Sequence, residues 1–192
     1  MQHPLDGSPM NEQLEMVKLI ASRLDSSGIP YMITGSMAMT IYSVPRMTRD
    51  IDLIVEIASD KVDDIISKFA KDCYIDYDSV KEAVKTEGMF NIIHNTWFMK
   101  ADFIVRKNHP YRIEEFNRRR KVDIEGCNVF VVSPEDLILS KLVWRTESQS
   151  ELQMYDVRQI ISTVDCLEWG YLRMWAEVLG VREGLTDAAQ HE

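Results

Sequence analysis

Residues 50–55, Asp-Ile-Asp-Leu-Ile-Val, constrain the fold more than any other stretch of the chain. The run reads as a strand, because β-branched and large aliphatic residues suit a pleated, half-buried surface. Side chains at i and i+2 of a strand point to one face, so Asp50 and Asp52 project together. Carboxylates that close repel each other unless they share a proton or hold a cation. The plain alternative is a free edge strand with two solvated acids, but Ile51, Leu53, Ile54 and Val55 are too large and apolar for one. The expected partner is a divalent cation that prefers oxygen, Mg2+ or Mn2+.

A third acid, Asp102, lies in a second apolar strand, Lys-Ala-Asp-Phe-Ile-Val at residues 100–105. If the two strands pair, three carboxylates converge on one face. Two metal ions about 3.5–4 Å apart could then activate an attacking hydroxyl and stabilise a leaving oxygen. The alternative for Asp102 is a strand-end acid paired with Lys100 or Arg106. Gly35 and Ser36 stand between a short strand, residues 31–34, and a helix expected to begin at Ser36. A small turn entering a helix N-terminus offers backbone N–H groups and a hydroxyl to phosphate oxygens. Gly-Ser alone is a weak signal; between strand and helix, with Asp-x-Asp on the next strand, it is specific. Arg46 and Arg49, in the loop before the aspartates, are candidates to contact a triphosphate.

Around this centre the hydrophobic periodicity predicts helices over residues 10–26, 36–44, 60–72 and 78–86. Strands are expected at residues 89–95 and 97–105, and a hairpin about Glu125-Gly126. Pro110 and Pro134 suit first helical positions, and Ser133 with Asp136 forms a cap-like pattern. Two more amphipathic helices follow, over residues 151–165 and 169–180. The expected fold class is α+β, a mixed α/β sheet with a helical C-terminal portion. The expected organisation is a core over residues 1–132 (with 1–9 disordered), helices over 133–183 packed on it, and a flexible tail over 184–192.

Hydrophobic residues make up 45% of 192, enough for a sizeable core. No apolar run approaches the roughly 20 residues that span a bilayer. The N-terminal stretch has no basic start and no apolar h-region, so a cytoplasmic protein without membrane partners is expected. Cys73, Cys127 and Cys166 form no CxxC pair, and His3, His94, His109 and His191 are scattered. A disulfide framework, a Cys/His zinc site and a Ser-His-Asp triad therefore find little support. A net charge of −9 argues against whole-surface affinity for nucleic acid. The only dense basic stretch, residues 105–121, reads as a solvated helix face.

The Gly35-Ser36 turn, the Asp50-x-Asp52 strand and the later Asp102 resemble the nucleotidyltransferase superfamily that includes DNA polymerase β. Within it the chain is most similar to the DUF6036 group, related to the AbiEii-type toxins of abortive-infection systems. The similarity covers roughly residues 30–165 and reaches the helices after the sheet, where Lys141 and Asp156 match a Lys and an Asp of related toxins. Against the typical AbiEii-type toxin, a shorter chain without the large C-terminal acceptor domain is expected. The resemblance implies a nucleotidyltransferase fold and a metal-dependent transfer of a nucleoside monophosphate from an NTP. By it, Asp50 and Asp52 would bind both Mg2+ or Mn2+ ions, and Asp102 would hold the catalytic metal and assist deprotonation of the acceptor. Gly35 and Ser36 would cradle the β- and γ-phosphates. Lys141 and Asp156 would lie at the nucleotide or acceptor pocket, although on their residues alone a solvated lysine and an intrahelical ion pair read equally well. The acceptor is open between tRNA, protein and small molecule, and a toxin–antitoxin setting would add an antitoxin partner. The alternative is a non-catalytic nucleotide-binding or interaction module on the same fold.

Overall fold

The computed structural model describes residues 9–43 and 50–190. Arg46 and Arg49 lie outside the described residues, as do residues 1–8 of the segment expected to be disordered.

The strands are β1 (Tyr31–Thr34), β2 (Asp50–Val55), β3 (Cys73–Tyr74), β4 (Met89–His94), β5 (Lys100–Val105), β6 (Arg120–Ile124) and β7 (Cys127–Val131). They form one mixed sheet in the order β3-β4-β5-β2-β1-β7-β6. β2 lies parallel to β5 and antiparallel to β1, and β1 lies parallel to β7. The two acid-bearing strands are thus central neighbours. The helices are α1 (Pro9–Ser27), α2 (Gly35–Tyr42), α3 (Val62–Phe69), α4 (Tyr77–Thr86), α5 (Pro110–Asn117), α6 (Pro134–Ser148), α7 (Glu151–Thr163), α8 (Trp169–Val178) and α9 (Arg182–Ala189).

Strand alternation divides the sheet into two unlike faces. Ile51, Leu53 and Val55 of β2 and Ala101, Phe103 and Val105 of β5 share one face and are all buried. Phe103 stacks on Phe90 at 4.9 Å and meets Phe69 of α3 edge-on at 5.7 Å. α1 adds Met16, Val17, Ile20, Ala21 and Leu24, the buried stripe that its spacing predicts. The opposite face carries Asp50, Asp52, Lys100 and Asp102 and is only partly covered. At the far edge the β6–β7 hairpin turns through Glu125 and Gly126, both with positive φ, as a tight turn matched to strand twist requires.

The C-terminal helices are tied to the sheet by buried polar groups. Ser133 caps α6, accepting from the Asp136 backbone N–H at 3.1 Å, with Pro134 in the first turn. Glu135 and Asp136 are fully buried. Arg120 of β6 donates to Glu135 at 3.0 Å, and Arg118 reaches Asp136 at 3.3 Å. Tyr171 of α8 donates to Asp136 at 2.6 Å, and Arg118 lies over its ring at 3.8 Å.

Three local expectations are corrected. The helix expected over 60–72 is a 3-10 turn, Ser59–Lys61, followed by α3 ending at Phe69. Beyond it Asp72 is held by Arg23 of α1 at 2.6 Å, which draws the chain away from the helix axis. Ser36 is not a cap: the helix starts at Gly35, with Thr34 in the cap position. The tail expected to be flexible from residue 184 forms most of α9, because Leu185 and Ala188, one turn apart, are buried against the preceding helices.

The basic stretch at 105–121 is not a solvated helix face either. Arg112, Arg118 and Arg120 pair with buried carboxylates, Arg106 pairs with Glu56, and Arg119 lies over the Phe116 ring at 4.3 Å. Among the described residues no helix is long and apolar enough to cross a membrane.

Candidate active site

The parallel register of β2 and β5 builds the centre. Asp52 lies opposite Asp102 and Asp50 opposite Lys100. Neighbouring partners in a parallel pair share a face, so all three acids and Lys100 stand on the partly covered side of the sheet. Asp102 is nearly buried, at 9% exposure. Its Oδ2 accepts from Lys100 Nζ at 2.8 Å, while its Oδ1 is buried without a hydrogen-bond partner among the described residues. The pairing of Asp102 with Lys100 that the sequence left open is therefore present, and it leaves half of the carboxylate unsatisfied.

On the other side of β2, Thr34 lies opposite Asp52, so the chain enters α2 directly against that carboxylate. A Cβ at position 35 would stand 2.0 Å from Asp52 Oδ2 and 2.8 Å from its Cγ, and Gly35 has φ +61°. Both the space and the backbone conformation demand glycine. Ser36 follows in the first turn of α2. The far end of α2 is anchored by Tyr42, whose hydroxyl donates to the Val132 carbonyl at 2.7 Å.

Burial pushes the Asp52 carboxyl above the ordinary aspartate range, and Asp102 and Asp50 push it further. Lys141 and Lys100 oppose the shift, which places both cations within electrostatic reach of Asp52. Lys141 is 3% exposed, with Nζ 2.7 Å from Asp156 Oδ2 and 3.2 Å from Gln153 Oε1. It is a buried cation held between α6 and α7, not a solvated lysine. Asp156 pairs across helices and is fully buried.

A cleft of about 290 Å³ opens from Asp52 and Gly35 toward α6. Ile54 and Ile104 line it from the sheet, Lys141 and Trp144 from α6, and Lys107 from the segment after β5. Trp144 is 52% exposed there. Between α5 and α6 a closed network limits the wall. Arg112 donates to Glu115 at 2.8 Å and to Ser140 at 2.7 Å, and Ser140 donates to Glu115 at 2.6 Å. Burial pushes the Glu115 carboxyl up, while Arg112 and Ser140 hold it down.

Among the described residues no three His, Cys, Asp or Glu side chains stand together at metal-ligand distance. The donor set nevertheless fits a hard divalent cation. It consists of carboxylate oxygens only, Asp102 Oδ1 lacks a partner among the described residues, and Asp102 and Asp50 raise the proton affinity of Asp52. Lys100 is the site residue that the motif reading did not place. Its signal was the strand period, since it precedes Asp102 by two in β5.

Residues 10–177 match the model of the family DUF6036, described as "Nucleotidyltransferase of unknown function". No curated protein matches the chain. Among solved structures, an antigenic nucleotidyltransferase-like protein from Paracoccidioides brasiliensis is similar at 20% identity and TM-score 0.61, over 95% of this chain and 94% of that one. ANT(2")-Ia, in complex with adenylyl-2"-tobramycin, is similar at 14% identity and TM-score 0.60, over 90% and 99%. The lincosamide antibiotic adenylyltransferase LnuA, lincomycin-bound, is similar at 10% identity and TM-score 0.53, over 80% and 98%. At these identities the likeness is one of fold: this chain has the nucleotidyltransferase fold.

Proposed function

Because the chain belongs to the DUF6036 family of nucleotidyltransferases, we propose that it transfers a nucleoside monophosphate from an NTP to an acceptor oxygen, using Asp50, Asp52 and Asp102. In that reaction the acceptor oxygen bonds to the α-phosphorus, the bond to the bridging oxygen breaks, and pyrophosphate leaves. The observation that carries the reading is the close approach of Gly35 to Asp52, with Asp102 in register beside it. It supports a phosphate-binding turn set against two carboxylates in register, Asp52 and Asp102.

The backbone N–H groups at Gly35 and Ser36, at the start of α2, receive the β- and γ-phosphates. Asp50, Asp52 and Asp102 would hold Mg2+ or Mn2+, which when bound neutralises the charge of the phosphates and the leaving oxygens. Asp102 Oδ1, lacking a hydrogen-bond partner, takes the proton of an acceptor hydroxyl. Lys141, positioned by Asp156, adds positive charge beside Asp52 for an anionic substrate. The exposed Trp144 offers a ring face to a planar group in the cleft.

A small hydroxylated acceptor fits better than tRNA. The chain carries a net charge of −9, and the arginines of its basic stretch are engaged with carboxylates and rings inside the fold. The cleft is close to the small end of the ligand-pocket range, about 300–1,000 Å³. ANT(2")-Ia and LnuA, which share the fold, are named with drug-sized molecules bound. A toxin–antitoxin setting rests on the resemblance to AbiEii-type toxins alone.

Calorimetric titration of each of the four NTPs, with Mg2+ or Mn2+, into the wild type and Asp50→Ala/Asp52→Ala tests the reading. Metal-dependent binding of at least one NTP, lost in the double variant, is expected. If a folded wild type binds none of them, the chain is an interaction module on this fold.

A further inference from the structure

We propose that Lys100 is the resident counter-ion of the carboxylate cluster, and that a divalent cation must displace it from Asp102 to occupy the site. The inference rests on the reading of Asp50, Asp52 and Asp102 as metal ligands and adds a threshold to it: the site is closed by its own lysine until the cation concentration opens it.

Lys100 lies opposite Asp50 in the β2–β5 register and precedes Asp102 by two, so its side chain rises from the face that carries all three acids. Nζ is 2.8 Å from Asp102 Oδ2. The three carboxylates are not gathered around a common centre, and the cation that meets Asp102 is this ammonium. A divalent ion brought to the same carboxylate would sit beside a positive charge at close range, which disfavours joint occupancy.

Mobility decides which partner gives way. The Asp102 side chain is 12% exposed and fixed within a central strand, whereas the Lys100 side chain is 37% exposed. Lys100 begins its strand and carries its charge on a flexible four-carbon stem that is readily hydrated. Release of Lys100 into water is therefore cheaper than movement of Asp102. Once the ammonium has left, Oδ2 joins the unpartnered Oδ1 in facing the cation. A contrary role is physically distinct: Lys100 could hold Oδ2 so that Oδ1 is aimed at the metal, and its loss would then weaken metal binding.

The two roles differ in sign, so one comparison separates them. Mn2+ alone is titrated into the full-length wild type, Lys100→Met and Lys100→Arg, with affinity read by electron paramagnetic resonance and by the Mn2+-induced rise in Tm. Competition predicts that Lys100→Met binds Mn2+ about tenfold more tightly than wild type, with Lys100→Arg close to wild type. Equal or weaker binding by Lys100→Met overturns the proposal. A second measurement needs no variant: amine acylation of Lys100 in the wild type, followed by mass spectrometry, should speed up several-fold on adding Mn2+. An unchanged labelling rate also overturns it. Metal–NTP binding that depends on Asp50 and Asp52, together with unchanged Mn2+ affinity in Lys100→Met, rejects the lysine's role and leaves the proposed function standing. Absence of Mn2+ binding and of metal–NTP binding in every protein overturns both.

Discussion

Lys141 illustrates how a single charge is held inside the fold. A lysine ammonium is almost never fully buried unless paired, and here it is 3% exposed beside Asp156. Removing one member of such a pair leaves the other charge buried and under-compensated, whereas removing both is far milder. Lys141→Met is therefore expected to lower stability by about 3 kcal/mol, and Lys141→Met/Asp156→Leu by distinctly less. Urea denaturation of the four proteins of that cycle measures the coupling. NTP binding should be weakened in both variants that lack Lys141, which separates the residue's part in the site from its part in the fold. Gly35 makes the complementary point by having no side chain: any Cβ would occupy the space of the Asp52 carboxylate.

Between elements, ion pairs act as short ties whose strength depends on exposure. Arg23 of α1 grips Asp72, just beyond α3, at 2.6 Å, with the Asp72 side chain 33% exposed. The hydrogen bond from Arg23 holds the Asp72 carboxyl below the ordinary aspartate range. A depressed carboxylate stabilises the folded state above its unfolded pKa, and the contribution is lost as pH falls through the folded value. Asp72→Asn should thus cost about 0.5–1 kcal/mol near neutral pH, and less as the medium is acidified below about pH 4. Thermal melts of both proteins across that range check the sign as well as the size. The Glu135–Asp136 pair of α6 makes a stronger tie, since both acids are fully buried and three basic or hydroxyl side chains from β6, the segment before it and α8 converge on them.

Across the whole molecule, α6 forms one wall of the cleft and packs against α7, α8 and α9. α9 closes this arrangement: Leu185 and Ala188 are buried, and a Cβ at Gly184 would lie 3.1 Å from Leu142 of α6. Deleting residues 182–192 exposes apolar surface on α6 and α7 and should lower stability by about 3–5 kcal/mol, on the scale of losing a large buried side chain. Calorimetric unfolding of the truncated chain measures it. A Tm within about 1 °C of wild type would mean that α9 contributes no packing.

What the sequence by itself determined was local. The alternation in residues 50–55 and 100–105 already implied two buried strands with acids on one face, and the stripe in α1, the first-turn prolines of α5 and α6 and the cap of α6 were legible in the same way. Each depends only on spacing along one segment, which 2.0- and 3.6-residue periods convert into faces. The tertiary structure alone decided the register that sets Asp52 beside Asp102, the ammonium of Lys100 among the acids, the burial of Lys141 and the capture of the basic stretch by Glu115, Glu135 and Asp136. It also turned an apparently polar tail into α9. Those outcomes depend on contacts between segments far apart in the chain, where charge finds its partner by proximity in space, and no period within a single segment encodes that proximity.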